Sequence, residues 1–286
     1  MHQEIIDLYK EYSDGSLNRR EFLKRLAVLS GGTVAAYTLL SQLETKGAVA
    51  DVIPKDDPRL HTETVLYPGQ TGDVRAYWAR PKGKEELPCV IVIHENRGLN
   101  DHIKDVTRRM ALEGFLAIAP DALSPLGGTP EDSNEARSRL RELNSRDTIK
   151  NFVAAVQYLK THPLSTGKVG CTGFCWGGGM TNQVVVNSPD LSAAVPYYGS
   201  QPAAEDVTKI KASLLLHYAG LDRRINAGIK AFEAALKKAS VDYRIYMYEG
   251  AQHAFNNDTN ASRYHKEAAQ LAWKRTIAFF KAKLKT

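Results

Sequence analysis

Cys89-Val-Ile-Val-Ile-His94 is an unbroken apolar run rich in β-branched residues, the pattern of a strand buried on both faces. Such a strand must be covered on each side, so the chain is constrained to a layered arrangement. From about residue 60 onward, strand and helix signals alternate, which predicts an α/β fold with a mostly parallel sheet and helices on both faces. Thr62–Tyr67 and Val74–Ala79, separated by Gly-rich turn residues, read as an antiparallel hairpin. Further strands are expected at Phe115–Ala119, Lys168–Cys175, Ala193–Tyr198, Leu214–Tyr218 and Tyr243–Tyr248. Helices are expected at Asp101–Gly114, Asp147–His162, Ile225–Lys238 and Arg263–Leu284. The polar stretch Ala122 to Asp132 reads as a surface loop. No repeat or interdomain linker interrupts this series.

The net charge is +6, but its basic residues are scattered, and no basic stripe interleaved with aromatics points to nucleic acid. Three cysteines, Cys89, Cys171 and Cys175, do not make a disulfide framework or a zinc site.

The first fifty residues are a separate matter. Asn18-Arg19-Arg20-Glu21-Phe22-Leu23-Lys24 precedes an uncharged stretch from Leu26 to Leu40, and Ala48-Val49-Ala50 is a small-x-small cleavage signature. Together they resemble a twin-arginine export signal. Asn18 departs from the usual Ser or Thr, and eighteen residues precede the arginine pair. The expectation is residues 1–50 as an export signal and 51–286 as the working domain, periplasmic and with no stable membrane association once processed. The alternative is a cytoplasmic protein with an attached N-terminal helical extension. Removing residues 1–50 takes away six acidic and six basic residues, so the charge stays at +6.

Gly173-Phe174-Cys175-Trp176-Gly177-Gly178 lies where a buried strand should meet a helix. A nucleophile on such a tight turn adopts strained backbone angles, and the residues two before and two after it must lack a Cβ. The helix N-terminus would favour a thiolate on Cys175, and the Trp176 N–H would be free for an oxyanion. A glycine-rich turn serving only close packing is the plain alternative; the stretch matches neither a P-loop nor G-x-G-x-x-G. Chain order favours chemistry. Asp222 follows one later strand and His253 another, both at the sheet edge where open α/β sheets bind ligands.

Four segments closely resemble dienelactone hydrolases (carboxymethylenebutenolidases): His94-Glu-Asn-Arg-Gly-Leu-Asn100, Gly173-Phe-Cys-Trp-Gly-Gly-Gly179, His217-Tyr-Ala-Gly-Leu-Asp222 and Gly250-Ala-Gln-His-Ala-Phe255. The resemblance spans roughly residues 60–285 and implies an α/β-hydrolase fold. It implies Cys175 as nucleophile with Asp222 and His253, Glu95 in contact with the resting thiol, and backbone N–H groups of Trp176 and Asn96 as the oxyanion hole. Glu95 ends a buried strand and needs a partner, and a salt bridge to Arg97 or another arginine is the competing reading. Family members carry an arginine a few residues beyond the histidine to bind a substrate carboxylate. This chain has Phe255-Asn256-Asn257-Asp258 there, with Arg263 the next arginine. Arg97, Arg223 and Arg224 are candidate substitutes, and Trp176, Tyr197, Tyr198 and Phe255 are candidate pocket walls.

The expected activity is hydrolysis of small esters or lactones through a thioester, without metal or organic cofactor. A broad carboxylesterase or thioesterase with the same triad, or a redox-reactive thiol protein that has lost turnover, are the alternatives.

Overall fold

Successive residues of the apolar run around Cys89 enter two different cores. In the computed structural model, which describes residues 2–13, 17, 19–46, 53–83 and 86–284, this run lies in β3. Cys89, Ile91 and Ile93 join one hydrophobic cluster with Phe152, Val156 and Val185, whereas Val90 and Val92 join another with Ile103, Met110 and Phe280. Alternation of side chains across a pleated strand therefore leaves β3 no polar face.

Along the chain the elements are α1 (His2–Ser13), α2 (Arg19–Ser30), α3 (Thr33–Lys46), β1 (Leu60–Gly69), β2 (Gly72–Pro81), β3 (Leu87–Ile93), α4 (Asp101–Leu112) and β4 (Leu116–Pro120). Then come α5 (Ser133–Arg139), α6 (Ser145–Lys160), β5 (Ser165–Phe174), α7 (Trp176–Asn187), β6 (Ala193–Tyr197) and β7 (Ser213–Ala219). The last are α8 (Arg223–Asn226), α9 (Ile229–Lys238), β8 (Tyr243–Tyr248) and α10 (Lys266–Lys283). One eight-stranded sheet runs β1-β2-β4-β3-β5-β6-β7-β8. The hairpin β1–β2 and the β2–β4 pair are antiparallel, and every pair from β4 through β8 is parallel. The fold is that expected of an α/β hydrolase.

Register fixes what meets at the carboxyl edge. Ile93 pairs with Gly173, so Glu95 and Cys175, each two residues further on, emerge side by side. Ala219 pairs with Tyr248, which brings the loops bearing Asp222 and His253 together at the same edge.

The structure corrects two helix boundaries and adds a helix. The stretch expected as one helix, Ile225–Lys238, is interrupted at Ala227-Gly228 into α8 and α9. His265 caps α10, accepting a hydrogen bond from the Ala268 N–H, instead of lying inside the helix. The polar segment of α5 buries only Ala136 and begins at an Asp132 cap, so it carries little apolar periodicity to announce it.

The N-terminal helices bury a cluster of their own, including Ile5, Tyr12, Phe22, Leu26 and Leu40. Gly31, at φ 82°, and Gly32 break the uncharged Leu26–Leu40 stretch between α2 and α3. Among the described residues no helix is long and apolar enough to cross a membrane. Asn18 and the Ala48-Val49-Ala50 signature lie outside the described residues.

Candidate active site

Cys175 stands between β5 and α7 with φ 56° and ψ −114°, a conformation L-residues rarely hold and one costing about 1–3 kcal/mol. The glycines that allow it have steric reasons. A Cβ on Gly173 would come within 2.3 Å of the Gly177 carbonyl oxygen, and one on Gly177 within 2.4 Å of the carbonyl oxygens of Ile93 and His94. The first turn of α7 is thereby pressed onto the end of β3, and the Trp176 ring stacks on His94. The Cys175 N–H donates to the Tyr197 carbonyl at 3.1 Å and ties the turn to β6.

His253 joins the other two expected residues. Its Nδ1 is 2.5 Å from Asp222 Oδ2, and its Nε2 is 3.0 Å from Cys175 Sγ. A carboxylate only accepts, so Nδ1 carries the proton and Nε2 accepts from the S–H group. Asp222 is itself fixed by the Ile225 N–H, which donates to Oδ1 at the start of α8.

The thiol does not have the character expected of a helix N-terminus. Burial, and secondarily the charge of Glu95, push Cys175 up to about 11, so the resting sulfur is protonated. The Trp176 N–H and the charges of Arg224 and Arg263 pull the other way without prevailing. Desolvation of a mostly buried sulfur outweighs half a helix dipole.

Glu95, 8% exposed, takes Asn257 as its partner, not an arginine. Its Oε2 accepts from Asn257 Nδ2 at 2.7 Å, so neither the direct bond to the thiol nor the Arg97 salt bridge is its hydrogen-bonded arrangement. Arg97 is exposed at the surface. Asn257 Oδ1 accepts from the Thr259 N–H and hydroxyl at 3.0 and 2.6 Å, which leaves its Nδ2 for Glu95. The neighbouring Asp258 is bridged to α4 by Arg109, 2.6 Å away, and Arg109 also holds Asp105. Asn257 lies in the segment where the family resemblance implies an arginine, and nothing local distinguishes it from a turn asparagine.

Two more residues shape the edge. His94 is fully buried; its Nδ1 meets the Glu95 carbonyl at 2.6 Å and its Nε2 accepts from the Ala122 N–H at 3.2 Å. Those partners assign the proton to Nδ1 and leave the ring neutral, in keeping with burial lowering its pKa. Thr129, in the Ala122–Asp132 loop, accepts from the Leu99 N–H at 2.9 Å and donates to Asp121 at 2.7 Å, joining that loop to the one after β3.

The pocket-wall reading fails for three aromatics. Tyr197, Tyr198 and Phe255 are each 0% exposed and belong to the second core, so they offer no surface to a ligand. Tyr198 instead packs edge-on against the His253 ring, with centroids 5.1 Å apart. Trp176 alone of the four remains partly exposed. Among the described residues no cluster of metal-ligating side chains is present. The arrangement can take a proton from sulfur onto a histidine buttressed by a carboxylate, next to backbone donors at a helix start.

A family model described as the dienelactone hydrolase family matches residues 74–284. A protein of Escherichia coli O157:H7, provisionally named a carboxymethylenebutenolidase, is 35% identical over 75% of this chain and 84% of its own. A similarly named Methylorubrum extorquens protein is 30% identical over 93% of this chain and 95% of its own. The crystal structure of a provisional dienelactone hydrolase from Klebsiella pneumoniae superposes with a TM-score of 0.70 at 29% identity, covering 78% of this chain and 98% of that one. On this match of sequence and fold, the chain belongs to the dienelactone hydrolase family.

Proposed function

We propose that the protein is a carboxylic ester hydrolase that opens small esters or lactones with Cys175 as nucleophile. The observation that carries this reading is the unbroken line Asp222–His253–Cys175, at 2.5 and 3.0 Å, ending on a strained turn. In the proposed cycle the Cys175 proton passes to His253 Nε2 as the sulfur attacks the acyl carbon. The imidazolium so formed is stabilised by Asp222. Backbone N–H groups of Trp176 and Asn96 receive the oxyanion, each such donor contributing about 2.7–4 kcal/mol in comparable sites. His253 then protonates the departing alkoxide or enolate, leaving a thioester on Cys175. Water, deprotonated by His253, releases the acid and regenerates the thiol.

The positive charges of Arg224 and Arg263 act on the sulfur from exposed positions, which favours an acyl substrate carrying a carboxylate. A broad carboxylesterase or thioesterase with this triad is the second reading, supported by the lack of an arginine between His253 and Arg263. The redox-thiol reading is disfavoured because a sensor needs a low thiol pKa and no paired Asp222 and His253 to activate water, and this site has the pair and a raised thiol.

The experiment compares hydrolysis of p-nitrophenyl acetate and a dienelactone by the wild type and Cys175→Ala. Turnover that vanishes in the variant supports the reading, and equal turnover by both removes Cys175 from the chemistry. For the N-terminal region we propose export with cleavage after Ala50. Mass spectrometry of protein from the periplasmic fraction tests it: a chain starting at Asp51 supports export, and a full-length cytoplasmic chain refutes it.

A further inference from the structure

The pairing of Ile93 with Gly173 brings Glu95 and Cys175 out at the same sheet edge, where the Glu95 charge adds to burial in raising the thiol. A carboxylate in that place is a competing acceptor for the S–H group, and a thiol bonded to it would be turned from His253. The observed pairing is different. Glu95 Oε2 is taken by Asn257 Nδ2 at 2.7 Å, and Cys175 Sγ lies 3.0 Å from His253 Nε2.

The amide is not free to follow Glu95 elsewhere. Asn257 is 9% exposed, and its Oδ1 is occupied by both donors of Thr259. The next residue, Asp258, is anchored to α4 through Arg109. A held donor thus faces a carboxylate that is only 8% exposed.

Resting on the hydrolase reading above, we infer that Asn257 is a positioning residue whose side-chain amide holds the Glu95 carboxylate off the Cys175 sulfur and leaves the S–H proton to His253. Because an amide carries no charge, Glu95 is oriented without being neutralised. Its negative charge goes on favouring the protonated sulfur at rest. A cation at position 257 would orient Glu95 and cancel that influence at once. The step Asn257 protects is a simple proton transfer. The S–H bond breaks, an N–H bond forms at His253 Nε2, and the electron pair stays on sulfur. The groups acting on Cys175 are His253, Glu95, the Trp176 N–H, Arg224 and Arg263, while the buried Tyr198 phenol, packed on the His253 ring, feels the charges of both Glu95 and Cys175.

The full chain and its Asn257→Ala, Asn257→Asp, Glu95→Gln and Asn257→Ala/Glu95→Gln variants are alkylated with iodoacetamide across pH. Modified cysteines are identified by mass spectrometry, and kcat and KM are measured with p-nitrophenyl acetate. Asn257→Ala should release Glu95 toward the sulfur, move half-maximal alkylation of Cys175 to higher pH, and lower kcat about tenfold with KM within about twofold. Glu95→Gln should move alkylation to lower pH, and adding Asn257→Ala to it should change nothing further. Loss of fold is recognisable because Cys89 and Cys171, both buried, would be alkylated as well. In that event Asn257→Asp, equal in shape, carries the test, and the repulsion between the two carboxylates should give the same upward shift. Wild-type alkylation and kcat in the folded variants, or an Asn257→Ala defect that persists in the Glu95→Gln background, would overturn the assignment. A wild type inert toward esters would count against the hydrolase reading instead, and the alkylation profiles would still report on Asn257.

Discussion

The His94 ring lies nearly parallel to the Trp176 indole, with centroids 5.3 Å apart and planes 16° from one another. This stack joins the two segments that supply the proposed oxyanion donors, one after β3 and one at the start of α7. Its orientation is locked because His94 donates to the Glu95 carbonyl and accepts from the Ala122 N–H.

His94→Phe keeps the stacking surface and removes both hydrogen bonds. Two buried backbone groups then lose their partner, at about 1–3 kcal/mol each. The peptide leading to Asn96 loses its fixed orientation, so one donor falls out of line. The expected result is a fall in kcat of about 10²-fold, the loss typical of one oxyanion donor, with KM little changed. Steady-state kinetics on p-nitrophenyl acetate, alongside thermal melting, check it. An unchanged kcat would separate His94 from the oxyanion geometry.

Gly177 should tolerate no side chain. In Gly177→Ala the new methyl meets two carbonyl oxygens at 2.4 Å, on a strand end that cannot move without breaking sheet pairs. Overpacking typically costs about 1–3 kcal/mol, and a clash with two backbone oxygens belongs at the upper end of that range. Denaturant unfolding should show that loss, whereas Gly127→Ala, where a Cβ would meet nothing within 4 Å, should lose less and only through its φ of 93°.

The meeting of Cys175, His253 and Asp222 was legible because its signals are local: a strand, a turn and a residue of the expected type, three times in order. The elbow glycines were readable for the same reason, since the turn imposes its own spacing. Asn257 was not, because its meaning depends on Glu95, 162 residues away in the chain. The roles of Tyr198 and Phe255 were misread because an aromatic just past a strand end is apolar whether it lines a pocket or fills a core. The thiol's protonation was misread because the helix dipole can be inferred from sequence, while the burial that outweighs it cannot. The break between α8 and α9 was marked by Gly228, whose Cβ would strike the Gln201 side chain at 2.3 Å. A glycine inside an otherwise periodic stretch does not announce such a neighbour.

Stability should fall as the solution is acidified below about pH 6.5. His217 is buried, flanked by the Tyr248 hydroxyl on Nδ1 and Thr276 on Nε2, and burial depresses its pKa to about 3. His94 is depressed by burial as well. In the unfolded chain both take up protons near the ordinary histidine value, while the folded protein does not. The stabilisation is therefore complete above that value and is lost as pH falls toward about 3 for His217. Each such proton tilts the stability curve by about 1.4 kcal/mol per pH unit in that window. Guanidinium unfolding at pH 7, 6 and 5 measures the slope. His217→Gln should lower stability at pH 7 yet flatten the slope by about one proton, and a slope unchanged in the variant would remove His217 as its source.

Arg224 and Arg263 offer a test of substrate charge that does not confuse binding with activation of the thiol. Both lower the Cys175 pKa through their fields, so replacing either with glutamine should slow attack on every ester to the same small extent. A substrate carboxylate adds a second interaction that a neutral ester lacks. Selectivity, expressed as the ratio of kcat/KM for a dienelactone to that for p-nitrophenyl acetate, cancels the shared effect on sulfur. For Arg224→Gln or Arg263→Gln this ratio should drop about 1.5- to fivefold, the range of an exposed charge pair. Because both side chains are exposed, the wild-type ratio should also shrink as ionic strength rises and the Debye length contracts from about 10 to 3 Å between 0.1 and 1 M salt. A ratio indifferent to both substitutions and to salt would mean that the site selects no anion, and the broad-esterase reading would take precedence over the lactone one.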